Sequence, residues 1–406
     1  MKISAIISEY NPLHNGHVYH INKTKEITNS DAIICVMSGN YVQRGLPSMV
    51  DKWNRTKAVL ECGIDLVLEL PVLYSLSSAE FFAHGAVSLL NSLGTVDSLC
   101  FGSEIGDLNL IIKVANTLVK EPEDFKLQLK RYLDQGHVYP KARGLALFDF
   151  LSKNDSENSD NLMEHLSSSN NILGIEYCKS LLKLDSKIKP YTVKREGSAY
   201  NDRSLSTIFS SATSIRKYIK DCNSIVELQK HMPSKSYELI KKLKDNDYTF
   251  VFDEQLLPFI KYKYFSQKES LKNLPDISEG LHNRIFKNLL ISNNYNELIE
   301  NIKTKRYTYT RINRILCQYF VGFDSFNTKE LRSQPSPYCR VLGFNETGKK
   351  VLKQIKNNSS IPLLTKLPKN INETMKLDIK ATETYSLLNK FISPNSDYLI
   401  SPIIID

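Results

Sequence analysis

A doubly wound parallel α/β sheet followed by a second, mainly α-helical domain is the architecture this sequence predicts. Short apolar runs at 3–7, 31–37, 65–71 and 98–101 each lead into a loop rich in polar residues, proline or glycine. Stretches with helical spacing separate those runs, and beyond about residue 221 the spacing is almost wholly helical. Strands alternating with helices specify parallel pairing, and ligands in such sheets bind across the carboxyl ends of the strands. A chain of 406 residues is too long for one small core, so a division into 1–220 and 221–406 is expected.

In chain order, residues 2–8 read as a buried strand and His17 to about Thr28 as the helix after it. The run 31–37 is a second strand ending in Ser38-Gly39-Asn40, and Lys52 to Cys62 carries the next helix. Residues 65–71 form a third strand, Ala79 to Leu90 a helix, and Ser98 to Glu104 a strand with the same glycine-bearing end. The loops at 8–17, 38–45 and 101–104 are therefore expected to converge on one crevice. One helix is predicted from about Asn109 to Tyr132, and the polar stretch within 152–169 reads as a flexible loop. Order resumes near Asn170-Asn171, followed by a strand over Ile188 to Lys194 and a turn into a helix at Phe209 to Arg216. In the second half, Leu281 to Leu290, Tyr295 to Ile302 and Thr310 to Phe320 carry apolar stripes. Tyr248 to Phe252 reads as a short strand, while Val341 to Phe344 and Leu399 to Ile405 are strand-like without a predicted place.

Composition narrows the class. Apolar residues make up 41% and charged residues 24%, the balance of a globular protein rather than a disordered one. No apolar run approaches the roughly 20 residues of a membrane span, and no secretory leader is evident, so a cytoplasmic location is expected. The seven cysteines are scattered without a CxxC pair, which predicts reduced thiols and no zinc site. The net charge is +9, yet residues 1–100 hold seven basic against nine acidic side chains, so a polyanion-binding surface is expected outside them.

The chemistry concentrates in Asn11-Pro12-Leu13-His14-Asn15-Gly16-His17, directly after the first strand. A helix N-terminus carrying two histidines and a glycine suits phosphate: the backbone can approach closely, the dipole favours negative charge, and the imidazoles donate to phosphoryl oxygens. His17 is the expected transition-state stabiliser and His14 its phosphate-contacting companion. Neither has an acidic or cysteine partner at metal-ligand spacing. Ser211-Ala212-Thr213-Ser214-Ile215-Arg216 offers hydroxyls at a helix start together with a guanidinium.

This motif resembles the HxGH signature of the adenylyltransferase and class I aminoacyl-tRNA synthetase superfamily. Ser8-Glu9-Tyr10-Asn11-Pro12, Ser38 to Gly45, Phe101 to Glu104, Asn170 to Gly174, Ser211 to Arg216 and Lys303 to Thr308 together resemble the bacterial tRNA(Met) cytidine acetate ligase family. The resemblance implies a Rossmann-like nucleotidyltransferase sheet and a two-step reaction. Acetate and ATP give acetyl-adenylate, and N4 of the wobble cytidine of elongator tRNA(Met) then takes the acetyl group. It further implies that Ile7, Ser8, Glu9, Tyr10, Asn11, Pro12, Leu13, Asn15, Gly16 and His20 lie along ATP. Gly102, Asn171 and Arg195 would join them, with Asn170 and Lys194 open as alternatives, and so would Ser211, Thr213 and Arg216. ATP is then a co-substrate, with Mg2+ expected alongside it.

Lys303, Lys305, Arg306 and Arg311 lie in a segment, 303–314, with five basic and no acidic residues and with Tyr307 and Tyr309 interleaved. That is the pattern of an RNA-binding face that stacks on unpaired bases. Lys52 and Arg55 share a helical face and are expected to meet phosphate or tRNA, or else to be solvated. Two other readings stay open: an adenylyltransferase acting on a phosphorylated small molecule, and a non-catalytic ATP- and RNA-binding protein.

Overall fold

A computed structural model describes residues 1–154, 166, 168–195, 210–278 and 280–406. Inside the sheet β1 (Ile3–Ser8) pairs in parallel with β2 (Ala32–Ser38). A hairpin of β3 (Tyr41–Val42) and β4 (Leu46–Pro47) follows β2 as a separate two-stranded ribbon. The sheet continues with β5 (Leu66–Leu70) beside β2, β6 (Ser98–Ser103) beside β1, and β7 (Lys189–Lys194) beside β6, all parallel. Alternate side chains serve opposite faces, as strand geometry requires. Ala32, Ile34 and Val36 join one core, whereas Ile33, Cys35 and Met37 join the other. Helices Asn15–Thr28 and Lys52–Leu60 cover the second face, and Ala79–Ser92, Leu108–Lys120 and Ser169–Lys183 cover the first.

The later strand-like segments find their place here. β8 (Cys339–Phe344) pairs antiparallel with β5, and β9 (Leu363–Leu364) and β10 (Ile403–Ile404) pair in parallel with β8. The sheet is thus completed across position 220, where the sequence reading placed the division between 1–220 and 221–406. The larger core likewise runs from β1 and β2 into Ile315, Leu316, Leu377 and Tyr385 of the C-terminal helices. Most of the second half is helical, including Leu281–Ile291, Tyr295–Ile302, Tyr309–Val321 and Glu373–Ser386.

Several local expectations are corrected. The single helix expected over 109–132 is two, Leu108–Lys120 and Glu123–Asp134, because Glu121 takes a left-handed conformation (φ 44°) ahead of Pro122. Tyr248 to Phe252 forms no strand; Val251 N–H donates to Met49 O at 3.0 Å while Tyr248 and Val251 are buried. Most of the expected 152–169 loop, and Phe209, lie outside the described residues. All seven cysteines are unpaired and five are buried. Among the described residues no helix is long and apolar enough to cross a membrane.

Lys52 and Arg55 face inward, contrary to their expected contact with tRNA or solvent. Lys52 is 1% exposed and its ammonium lies 2.7 Å from both Glu69 and Asp397, with Arg340 2.9 Å from Asp397. Arg55, 3% exposed, donates from Nε to Val50 O at 2.9 Å, from one terminal nitrogen to Glu9 O at 2.6 Å, and from the other to Ser38 O and Gly39 O. Taking cations this far from water is tolerable only with such partners. Lys52→Ala should therefore lower the unfolding free energy by about 3–5 kcal/mol, the usual consequence of stranding a buried charge. Urea denaturation checks this, and a loss below about 1 kcal/mol would mean that the cluster does not anchor the fold.

Candidate active site

The turn after β1 is built before the helix begins. Tyr10 takes a positive φ of 45°, the Asn11-Pro12 peptide is cis, and His14 stands at the N-cap of Asn15–Thr28. The helix therefore starts two residues earlier than its sequence pattern suggested. Asn11 is held on two sides: its Oδ1 accepts from Met49 N–H at 2.8 Å, and its carbonyl accepts from Arg216 at 2.7 Å. Asn15 turns away, donating through Nδ2 to Lys230 O at 2.9 Å, while Ser236 Oγ donates to Leu13 O at 3.0 Å. Segments beyond residue 220 thus brace the signature turn.

The two histidine rings stack with centroids 3.7 Å apart, and Tyr10 meets His17 edge-on at 4.9 Å. His17 Nδ1 accepts the backbone N–H of His14 at 3.2 Å. A neutral imidazole has one proton, so with Nδ1 accepting, His17 carries it on Nε2 as a donor. The rings are neutral because burial, with Arg195 and Arg216 beside them, lowers His14 to about 3; burial, then His14 and Arg195, lower His17 well below its usual value. Burial and Arg195 bring His20 down to about 4. Among the described residues His14 Nδ1 is buried without a hydrogen-bond partner.

These side chains open into a cavity of about 180 Å³. Of the expected nucleotide residues, Ile7, Ser8, Glu9, Tyr10, Asn11, His14, Gly16, His17 and His20 line it, as do Gly102, Arg195, Ser211, Thr213 and Arg216. Pro12, Leu13 and Asn15 do not, since they shape and brace the turn. The lining member of the asparagine pair is Asn170. Asn171 is 2% exposed behind it, its Oδ1 accepting from Glu104 N–H at 2.8 Å and Ile105 N–H at 3.3 Å. Lys194 lines the cavity beside Arg195. At Gly102 a Cβ would stand 3.3 Å from Arg195 Cγ, so the glycine lets that side chain lie across the end of β6. Ser211 caps the helix Ala212–Asp221, its Oγ accepting Ser214 N–H at 3.1 Å, and Arg216 also donates to Thr213 Oγ1 at 3.2 Å.

The loop expected at 38–45 reaches the cavity as the β3–β4 hairpin, with Val42, Gln43 and Arg44 lining it and Leu46 after them, while the sequence reading missed Phe82 and Tyr177, which form an apolar end with Phe101 and Leu173. The motif Ser38 to Gly45 was itself visible, but two-residue strands leave no alternation to read. Gly45 has φ +81°, and a Cβ there would fall 2.2 Å from Arg314 N in the helix Tyr309–Val321. That contact ties the cavity wall to the helix that carries the second half of the basic segment. In that segment Lys303, Lys305 and Arg306 are exposed, with Lys303 3.7 Å from Glu300. Arg311 donates to Asp276 O at 3.0 Å and to Ser278 Oγ at 2.8 Å. Tyr307 is 9% exposed and packs in the core, whereas Tyr309 is 39% exposed.

The depressed histidines predict a pH dependence. Between their unfolded value near 6.5 and the folded values near 3 to 4, the unfolded chain binds protons that the folded one refuses, so stability falls as pH drops. Each such histidine contributes up to about 1.4 kcal/mol per pH unit in that window and nothing above it. His14→Gln should give a shallower fall between pH 6.5 and 4 than the parent, read as the denaturation midpoint at each pH. Parallel curves would show that His14 is not buried in its neutral form.

Comparison with known proteins bears on this site. The HIGH Nucleotidyl Transferase family matches residues 1–398. The chain is 55% identical over 405 residues to the tRNA(Met) cytidine acetate ligase of Clostridium novyi, covering 99% of each, and 51% identical over 404 residues to that of Clostridium tetani, covering 100% of each. It is also similar to the crystal structure of Thermotoga maritima TmcAL in its apo form, with TM-score 0.90 and 32% identity, and to the same protein bound with alpha-thio ATP, with TM-score 0.89 and 31% identity; each comparison covers 100% of both chains. With its signature turn, its parallel sheet and its whole length in register with these relatives, the chain belongs to the tRNA(Met) cytidine acetate ligase family within the HIGH nucleotidyltransferases.

Proposed function

We propose that the protein activates acetate with ATP and transfers the acetyl group to N4 of the wobble cytidine, C34, of elongator tRNA(Met) in the cytoplasm. The observation that carries this reading is His17, a neutral imidazole with its proton on Nε2, at the N-terminus of Asn15–Thr28 in a cavity also lined by Arg195 and Arg216. That is a set of donors suited to phosphoryl oxygens rather than to a metal ion or a nucleophilic side chain. The names of the relatives, and the alpha-thio ATP bound by one of them, support the same substrates.

In the first step an acetate oxygen attacks the α-phosphorus and the bond to the β-phosphate bridging oxygen breaks, releasing pyrophosphate. Acetate is already ionised at neutral pH, so no base is needed. His17 and His14 meet the charge that builds on the phosphoryl oxygens, and Arg195 and Arg216 neutralise the polyanion. Mg2+ accompanies the ATP phosphates; among the described residues no group of three or more His, Cys, Asp or Glu side chains is arranged to hold a metal. In the second step the cytidine amine takes the acetyl group and AMP leaves. Lys305 and Arg306, exposed beside the element that abuts the hairpin wall, are the proposed contacts to tRNA phosphates, with Lys303 and Arg311 flanking them.

Two measurements check this reading. Acetate-dependent exchange of labelled pyrophosphate into ATP is expected for the parent, and His17→Ala should slow it by about 100- to 1000-fold, as loss of one charge-stabilising donor does elsewhere. Unchanged exchange in a folded variant would remove His17 from catalysis. Lys305→Ala and Arg306→Ala should each reduce the slope of log K for tRNA against log salt by about 1. An unaltered slope would place the RNA elsewhere.

A further inference from the structure

The second step has a chemical need that the first lacks. An exocyclic amine conjugated with a pyrimidine ring is hardly basic, so when it attacks an acyl carbonyl its nitrogen must give up a proton. The N4–carbon bond forms, the carbon–oxygen bond to the adenylate breaks, and its electron pair leaves on the AMP phosphate. The proton needs an acceptor within the cavity.

We propose that the Glu9 carboxylate accepts the proton that the cytidine amine loses during acetyl transfer. This role rests on the ligase reading above. Glu9 is the only carboxylate among the described residues lining the cavity. The other lining groups suit the task poorly. His14 and His20 are weak bases, at about 3 and 4, and His17 lies well below its usual value. The phenol of Tyr10 is held firmly protonated by burial. Arg44, Lys194, Arg195 and Arg216 are cations.

Position supports the assignment independently. Glu9 Oε1 accepts the backbone N–H of Gln43 at 2.7 Å, and the Glu9 carbonyl accepts from Arg55 at 2.6 Å, so backbone and side chain are both fixed. The carboxylate therefore stands against the β3–β4 hairpin, the wall whose Gly45 abuts Arg314. This carboxylate is bonded directly to the hairpin, which leads toward the basic segment and also carries Arg44. A carboxylate beside a triphosphate is a liability for the first step, and three guanidiniums, from Arg44 on the hairpin, Arg216 on Ala212–Asp221 and Arg55 on Lys52–Leu60, act on it. Burial nevertheless raises its proton affinity above the ordinary carboxylate value, with those three cations pulling the other way. Tyr10 and the neutral His14, His17 and His20, with Tyr19, complete the titratable surroundings on the turn and its helix, and Lys194 and Arg195 face the cavity from the end of β7.

The test separates the two half-reactions. The parent, Glu9→Gln and Glu9→Asp would each be given ATP, labelled acetate, Mg2+ and pyrophosphatase to accumulate acetyl-adenylate. Unmodified elongator tRNA(Met) transcript is then added and the label on tRNA followed in a single turnover, with pyrophosphate exchange measured alongside. Glu9→Gln should slow transfer at least 50-fold more than it slows exchange, Glu9→Asp should recover part of the transfer rate, and the acid limb of the parent's transfer profile should vanish in Glu9→Gln. Equal losses in both half-reactions, or transfer in Glu9→Gln that keeps the parent's rate and acid limb, would overturn the role of Glu9 and leave the ligase reading standing. A parent that exchanges pyrophosphate but never acetylates the tRNA would overturn the ligase reading and this role with it.

Discussion

The buried guanidinium of Arg55 is the constraint on which the site depends. At the carboxyl end of a parallel sheet the strands diverge and their last carbonyls lose ladder partners, which is costly away from water. One planar fork with its donors in fixed directions answers that need, reaching the ends of β1 and β2 and the loop before its own helix. A lysine could not span so many acceptors. Because the Glu9 carbonyl is one of them, the first residue of the signature turn is set by a helix that does not line the cavity.

From that fixed point the turn is braced by distant chain. Arg216 grips the Asn11 carbonyl, His231 O accepts Asn15 N–H at 3.2 Å, and Ser236 holds Leu13 O. A helix N-terminus able to receive phosphate must keep its first amide groups oriented without consuming all of them. Here the bracing falls on the residues around the histidines, and His17 Nδ1 takes the His14 amide, which leaves Nε2 for the cavity.

Much of this was legible in the sequence, and for physical reasons. β1, β2, β5 and β6 are largely buried and so appear as predominantly apolar runs, and the signature turn sits where such a strand must end. β8 and β10 were visible as apolar segments and β9 was not, and the pairing of β8 with β5 is a non-local event that no local pattern encodes. Lys52 and Arg55 misled because helical spacing shows which residues share a face, not what that face meets; their partners, Glu69, Asp397 and the strand-end carbonyls, come from elsewhere in the chain. Asn170 and Asn171 are adjacent in sequence yet differ in placement: the Asn171 side chain accepts the Glu104 and Ile105 N–H groups behind the cavity, whereas Asn170 lines it while its Nδ2 donates to Glu104 Oε1 at 2.7 Å.

The late arrival of β8 and β10 shapes how the protein comes into being. Translation delivers the signature turn long before Asp397, the carboxylate beside Lys52. Until the tail emerges, the outer edge of β5 has no β8 to pair with, and the cluster around Lys52 lacks both Arg340 and Asp397. The sheet that carries the nucleotide pocket is therefore finished by residues more than three hundred positions downstream of the signature turn, and a chain lacking the segments from β8 onward would present the outer edge of β5 as an open template for foreign strands.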